Sequence, residues 1–156
     1  MKTISFACVI AVGAMALTTR PANPAAAWPA IPDPTSPAQG GIQASITRGK
    51  QVYLEQCLAC HQADASGVPN MNPPLIKTKY VLGDKAALVK IVLNGMHGEK
   101  IGDDDYTGVM APHPDLADQQ IADVLTYVHN SFGNKASAIT VAQVKAIRAA
   151  NKPAAQ

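Results

Sequence analysis

The chain has 156 residues, of which 47% are hydrophobic, 4% aromatic and 15% charged, with a formal net charge of +2 at neutral pH. That length suits one domain, and the near-neutral balance carries no footprint of a nucleic-acid surface. So few aromatic residues leave the core short of large flat apolar groups, unless something other than the polypeptide supplies one.

Residues 1–27 have the form of a secretory signal peptide: Lys2 as the positive start, a 14-residue apolar run from Ile4 to Leu17, and Ala25-Ala26-Ala27 as a small-residue cleavage site before Trp28. The apolar run is short of the roughly 20 residues of a membrane span, so cleavage rather than anchoring is expected, delivering a periplasmic protein with no span in its mature form. Cys8 lies inside the run and not at its end, which argues against a lipid-bearing cysteine. Without Lys2 and Arg20 the mature 129 residues carry eleven basic and eleven acidic side chains and are formally neutral.

Residues 28–44 are rich in Pro, Ala and Gly and bury little, so they are expected to form a flexible tether. A first helix is expected over Ser45–Cys57, with Ile46, Gly49, Val52, Tyr53 and Cys57 near one face and Ser45 or Thr47 as its cap. Gly49 costs about 1 kcal/mol there against Ala, which points to close approach by another element.

Cys57-Leu58-Ala59-Cys60-His61 follows. Two cysteines two residues apart, with histidine directly after the second, are the spacing for covalent attachment of haem c. Each thiol adds to one vinyl group of a single porphyrin, so both must reach one ring edge. The adjacent imidazole then becomes the proximal iron ligand. A zinc site wants two further ligands at fixed spacing, and His97, His113 and His129 do not supply them. A thioredoxin-like dithiol needs a strand–helix–strand context that is missing.

A loop over Gln62–Pro74 comes next, then a helix over Asp84–Asn94, with Asp84 as cap and Gly95 as a left-handed stop. The segment Gly95–Pro114 is turn-rich. A third helix is expected over Asp118–Phe132, with Ile121, Val124, Leu125 and Val128 inward and His129 near the carbonyl end, where it meets the helix dipole. Last comes a helix over Thr140–Ala150, with Thr140 and Gln143 at capping-box spacing. The weak strand candidate is Tyr80-Val81-Leu82, too short to carry a sheet, so the class is all-α. No internal repeat is visible.

An electron-transferring haem keeps a second axial ligand. The methionines beyond the leader are Met71, Met96 and Met110, and the remaining histidines are His97, His113 and His129. Met110 is the strongest candidate: Gly108 permits close backbone approach, Pro112 stiffens the exit, and the third helix anchors the loop. Met71 and Met96 fit the ordinary role of gap-filling in a core. Ligation by His97 or His113 would give a bis-histidine haem of lower potential.

These features together resemble class I bacterial cytochromes c over residues 45–132. The resemblance rests on Gly49 before the haem motif, Cys57–His61 itself, the stretch from Gly67-Val68-Pro69 to Pro73-Pro74-Leu75, and Met110 before a helix bearing Tyr127. It implies a cytochrome c-like fold of helices wrapped around one haem, with Gly49 and Tyr127 meeting where the first and last helices cross. It also implies that the carbonyl of Pro73 or Pro74 accepts a hydrogen bond from His61. Leu125–Asn134 and the helix after it resemble, more narrowly, domains associated with periplasmic dehydrogenases, with residues 133–156 as a C-terminal extension. Ala117 departs from the pattern, since such sequences place Ser or Thr at that cap, leaving Asp115 or Asp118 to substitute.

The expected function is a periplasmic electron carrier and not an enzyme, passing single electrons from a dehydrogenase or quinol-oxidising donor to a terminal oxidase or reductase. Two alternatives remain: a subunit permanently docked to a dehydrogenase, and a haem enzyme or gas sensor with an open distal site, for which His113 is the candidate acid–base group. Lys77, Lys79, Lys85, Lys90 and Lys100 form either a face steering an acidic partner or a solvated one. Asp103–Asp105 fits a solvated loop.

Overall fold

A glycine on one helix and a bare peptide on another set the frame. The computed structural model describes residues 41–98, 100–101 and 104–151; the leader and the tether up to residue 40 lie outside the described residues. Helix α1 spans Gly41–Gln56 and buries Gly49, Val52 and Tyr53 at i, i+3, i+4 spacing. It crosses α5, Asp118–His129, which buries eight of its twelve residues. At the crossing a Cβ on Gly49 would stand 2.0 Å from the carbonyl oxygen of Asp123 and 2.8 Å from Cβ of Tyr127. The glycine–aromatic crossing is therefore present, and backbone meets backbone there. Arg48 and Ser45 close it with hydrogen bonds to Asp123, including Arg48 Nε to Oδ2 at 2.7 Å and Nη2 to Oδ1 at 2.9 Å. Asp123 is 2% exposed, and this pairing is what makes a carboxylate tolerable there.

Helix α1 begins at Gly41, four residues earlier than expected. Gly41–Ala44 are thus helical and not the end of the tether: between Pro37 and Pro69 the sequence holds no proline to break a helix. One turn, α2 at Leu58–His61, continues the chain, with Cys57 N bonded to Tyr53 O at 2.9 Å. Residues 62–75 then fold back on themselves, with Gly67 N on His61 O and Leu75 N on Ala65 O.

Tyr80-Val81-Leu82 is not a strand but part of a helical turn, α3 at Lys79–Leu82, capped by Thr78, whose hydroxyl accepts from Val81 N. With no partner strand to pair, the capped turn wins. Helix α4, Lys85–Asn94, starts at Asp84 as expected, its carboxylate accepting from Ala87 N at 2.7 Å. Gly95 ends it at φ 77°, ψ −174°, a glycine-only extended conformation and not the left-handed stop expected. The chain therefore leaves straight into β1, Met96–His97, which pairs antiparallel with β4, Val109–Met110. A second ladder joins β2, Lys100–Ile101, to β3, Asp104–Asp105. Two-residue strands have no alternation to read, so the sequence showed only turns here. They decorate one loop, and the architecture is all-α.

Helix α5 stops at His129, not Phe132. Asn130 bonds back to Thr126 O, and Phe132 takes φ 57° to return its ring against Tyr53 and Tyr127, with centroids 5.3–5.4 Å away. His129 is buried, and its Nδ1 donates to Ser137 O at 2.8 Å in the following segment, not to its own helix's carbonyls. Helix α6, Val141–Ala150, begins at the expected Thr140–Gln143 box. Its Val144 is 0% exposed and shares one core with α1, α4 and α5, so the extension is an integral part of the fold.

At the start of α5 neither Asp115 nor Asp118 replaces the missing cap. Only the return half of a capping box exists: Gln120 Oε1 accepts from Ala117 N at 2.9 Å. Ala117→Ser completes the box and should raise stability by about 1 kcal/mol, read as a higher denaturant midpoint at unchanged slope. Gly49→Ala should lower it by roughly 1–3 kcal/mol, since Asp123 O cannot retreat without separating α1 from α5.

Candidate functional site

A single turn of helix can present two side chains three apart on one face, and Cys57, which caps α2, and Cys60 within it have that spacing. Both border one cavity, as does His61. The cavity has a volume of about 240 Å³. Its inner wall is apolar, supplied by Leu88 and Val92 of α4, Leu116, and Val124, Leu125 and Val128 of α5. Three of these were expected to point inward; they face the cavity because α5 has its other flank on α1.

His61 is 8% exposed, and its Nδ1 lies 3.1 Å from the carbonyl oxygen of Pro73. A carbonyl only accepts, so Nδ1 carries the proton and Nε2 is left as a lone-pair donor. Burial holds the imidazole below its ordinary pKa, with the Pro73 hydrogen bond opposing more weakly. The ring is thus kept neutral, as a metal ligand must be. Pro74 borders the cavity without this bond. Pro73 is placed by Gly67, at φ +69°: a Cβ there would fall 2.2 Å from Asn72 O and 2.7 Å from Pro73 O.

Cys60 is exposed and Cys57 half-buried. Burial pushes the Cys57 thiol up to about 11, with a smaller contribution from Cys60. Neither forms a disulfide.

Met110 borders the same cavity. Its strand is held by Gly108 N on Met71 O at 2.8 Å and Thr107 N on Asn70 O at 3.1 Å. A side chain at 108 would collide with Met71 O at 2.2 Å, which is why the loop needs glycine there. The other two methionines do not fill the core as expected. Met71 is 54% exposed, because its backbone and not its side chain serves the loop. Met96 is the register partner of Met110 and borders the cavity beside it. His113 also reaches the wall, whereas His97 is exposed and His129 is committed to Ser137.

Asn134 escaped the sequence analysis. Buried in the loop after α5, its side chain accepts from Lys77 N at 2.7 Å and donates to Leu75 O and Val128 O, both at 2.9 Å. It fixes the end of the proline segment that holds His61. A lone asparagine in a loop gives no pattern to find. Asp123 did leave a signal, a carboxylate set among the apolar positions of α5.

The donor set fits a planar group carrying its own equatorial nitrogens. Among the described residues no three His, Cys, Asp or Glu side chains converge on a metal-sized site. One imidazole and one thioether suffice for an iron that lacks only an axial pair, and the apolar wall suits a porphyrin face.

Comparison with known proteins agrees. The family model described as Cytochrome c matches residues 46–132. Cytochrome c-552 of Thermus thermophilus is 30% identical over 120 residues, covering 70% of this chain and 80% of that protein. The cytochrome c subunit of the quinone alcohol dehydrogenase of Gluconacetobacter polyoxogenes is 32% identical over 119 residues, 72% of this chain but 25% of that protein. A cbb3-type cytochrome c oxidase subunit CcoP of Azospirillum brasilense is 36% identical over 99 residues, 59% of this chain and 30% of that protein. The chain thus spans most of the first relative and a quarter to a third of the other two. The all-α wrap, the cavity and the family match have one reading: the chain belongs to the cytochrome c family and binds one covalently attached haem c.

Proposed function

We propose that the chain is a monohaem electron carrier of the periplasm, with a leader over residues 1–27 that is cleaved. Cys57 and Cys60 carry the thioether bonds, His61 Nε2 is the proximal iron ligand and Met110 the distal one. The observation that carries this is the His61–Pro73 hydrogen bond, which leaves Nε2 as the free donor in the cavity that Cys57, Cys60 and Met110 also border. The haem supplies one-electron exchange. The protein's residues tune it: Pro73 raises the basicity of His61 and fixes its orientation, and the wall of α4 and α5 excludes water.

The partners on this reading are a dehydrogenase or quinol-oxidising donor and a terminal oxidase or reductase. No helix among the described residues is long and apolar enough to cross a membrane. Lys77, Lys79 and Lys90 are exposed and Lys85 donates to Ala138 O at 2.8 Å, while the side chain of Lys100 lies outside the described residues. A second reading, a fixed subunit of a larger oxidoreductase, draws on the alcohol dehydrogenase and oxidase subunits among the relatives. Co-purification of a large subunit from the native membrane or periplasm selects it; a free monomer selects the carrier.

Met110→Ala should abolish the weak far-red sulfur-to-iron band of the oxidised protein, lower its potential, and let the reduced protein bind carbon monoxide readily. An unchanged spectrum rejects Met110 as ligand. Gly67→Ala should displace the Pro73 carbonyl and shift the reduction potential, because the partner of the proximal imidazole moves. A potentiometric titration superimposable on the unaltered protein's would show that this hydrogen bond has no electronic role.

A further inference from the structure

The segment bearing Met110 leaves α4 at Asn94 and rejoins the helical frame at α5. Its two ends meet near the frame: Gly95 lies against Met110 O, where a Cβ would stand 2.4 Å away, and His113 N donates to Val92 O at 2.9 Å. Helix α6 lies outside the stretch matched by the family model, yet it grips both ends. On the entering side, Asn151 and Asn94 exchange amide hydrogen bonds of 2.9 and 3.1 Å. On the leaving side, Arg148 engages three acceptors within residues 114–118. Nε donates to Asp118 Oδ1 at 2.6 Å, Nη1 to Pro114 O at 2.8 Å and Nη2 to Leu116 O at 2.5 Å. Leu116 is itself part of the cavity wall.

Packing alone accounts for α6 through its Val144 and through Ile139 just before it, both buried in the core. It does not account for a guanidinium spread across three acceptors of the strand-to-helix connection. Two of those acceptors are backbone carbonyls, so the grip fixes the path of the main chain and not one side chain. A planar fork can do this and an ammonium cannot. We propose that Arg148, seconded by Asn151, is a positioning residue for the distal ligand: α6 is a clasp that closes both ends of the Met110 segment and keeps its sulfur at the iron. This rests on the assignment of Met110 as distal ligand.

The clasp predicts a local effect. An external ligand enters a six-coordinate haem only when the sulfur leaves, so the rate of imidazole binding to the oxidised protein reads the opening of the segment. The experiment uses the full-length holoprotein with Arg148→Ala, Arg148→Lys, Asn151→Ala and the double alanine variant. Ser45→Ala, at the α1–α5 crossing, controls for general destabilisation, and Met110→Ala tests the ligand assignment. Far-UV unfolding is followed in parallel.

Loss of the fork should speed imidazole binding roughly ten-fold, the effect of hydrogen bonds to a charged group. Asn151→Ala should have a smaller effect, and the double variant the largest. Arg148→Lys should fall between the native protein and Arg148→Ala, and it keeps the test open if the alanine variant does not fold. Ser45→Ala should lower the unfolding midpoint without changing the rate. The clasp is rejected if Arg148→Ala and Arg148→Lys bind imidazole at the native rate, or if Ser45→Ala accelerates binding as much as they do. Should Met110→Ala keep the far-red band, the ligand assignment itself fails, an outcome separate from either of these.

Discussion

The contact of Gly49 with the carbonyl of Asp123 is the constraint on which the rest of the molecule depends. It brings two helices to backbone distance, and so fixes how far the end of α1 stands from the inner face of α5. The cysteine–histidine turn hangs from that end, and the cavity wall is that face. A wider crossing would part the proximal histidine from its wall. Asp123 serves twice, with its backbone as the contact surface and its carboxylate as the acceptor for Ser45 and Arg48. The ion pair keeps a buried carboxylate compensated, while Arg48 itself stays partly exposed.

On the proposed ligand assignment, the two axial sides are held by different physics. On the proximal side a short loop is locked by local backbone bonds and by glycine at 67, with Asn134 tying its far end to α5. On the distal side a longer excursion carries two-residue ladders and hydrogen bonds to Asn70 and Met71, and its ends are secured from outside by α6. A rigid proximal histidine and a sulfur that depends on remote support is the arrangement expected where ligand loss, when it happens, happens on one face only.

What the sequence made legible was what local rules write. The attachment motif has fixed spacing because the porphyrin has fixed edges. Asp84 and Thr140 announced their helices through their caps, and Gly49 announced a close crossing by being costly where it stood. The misses share a cause. Arg148, Asn134 and Asn151 act across tens of residues through polar contacts that leave no period in the chain. Met96 looked like core filling until the register placed it opposite Met110. Gly95 was seen to end its helix, but whether it turned or ran straight depended on the strand it had to meet. Tyr80–Leu82 was only a weak strand candidate, since three apolar residues fit a turn or a strand equally, and Thr78 decided for the turn.

The cavity has an order of appearance built into it. Its cysteines lie near one end of the folded stretch, while Asp123, which α1 must meet, lies 75 residues beyond Arg48. A chain emerging amino end first therefore offers both thiols before any part of α5 exists to cover them. Whatever joins haem to this polypeptide can therefore reach both thiols before the helices that shut out water are in place.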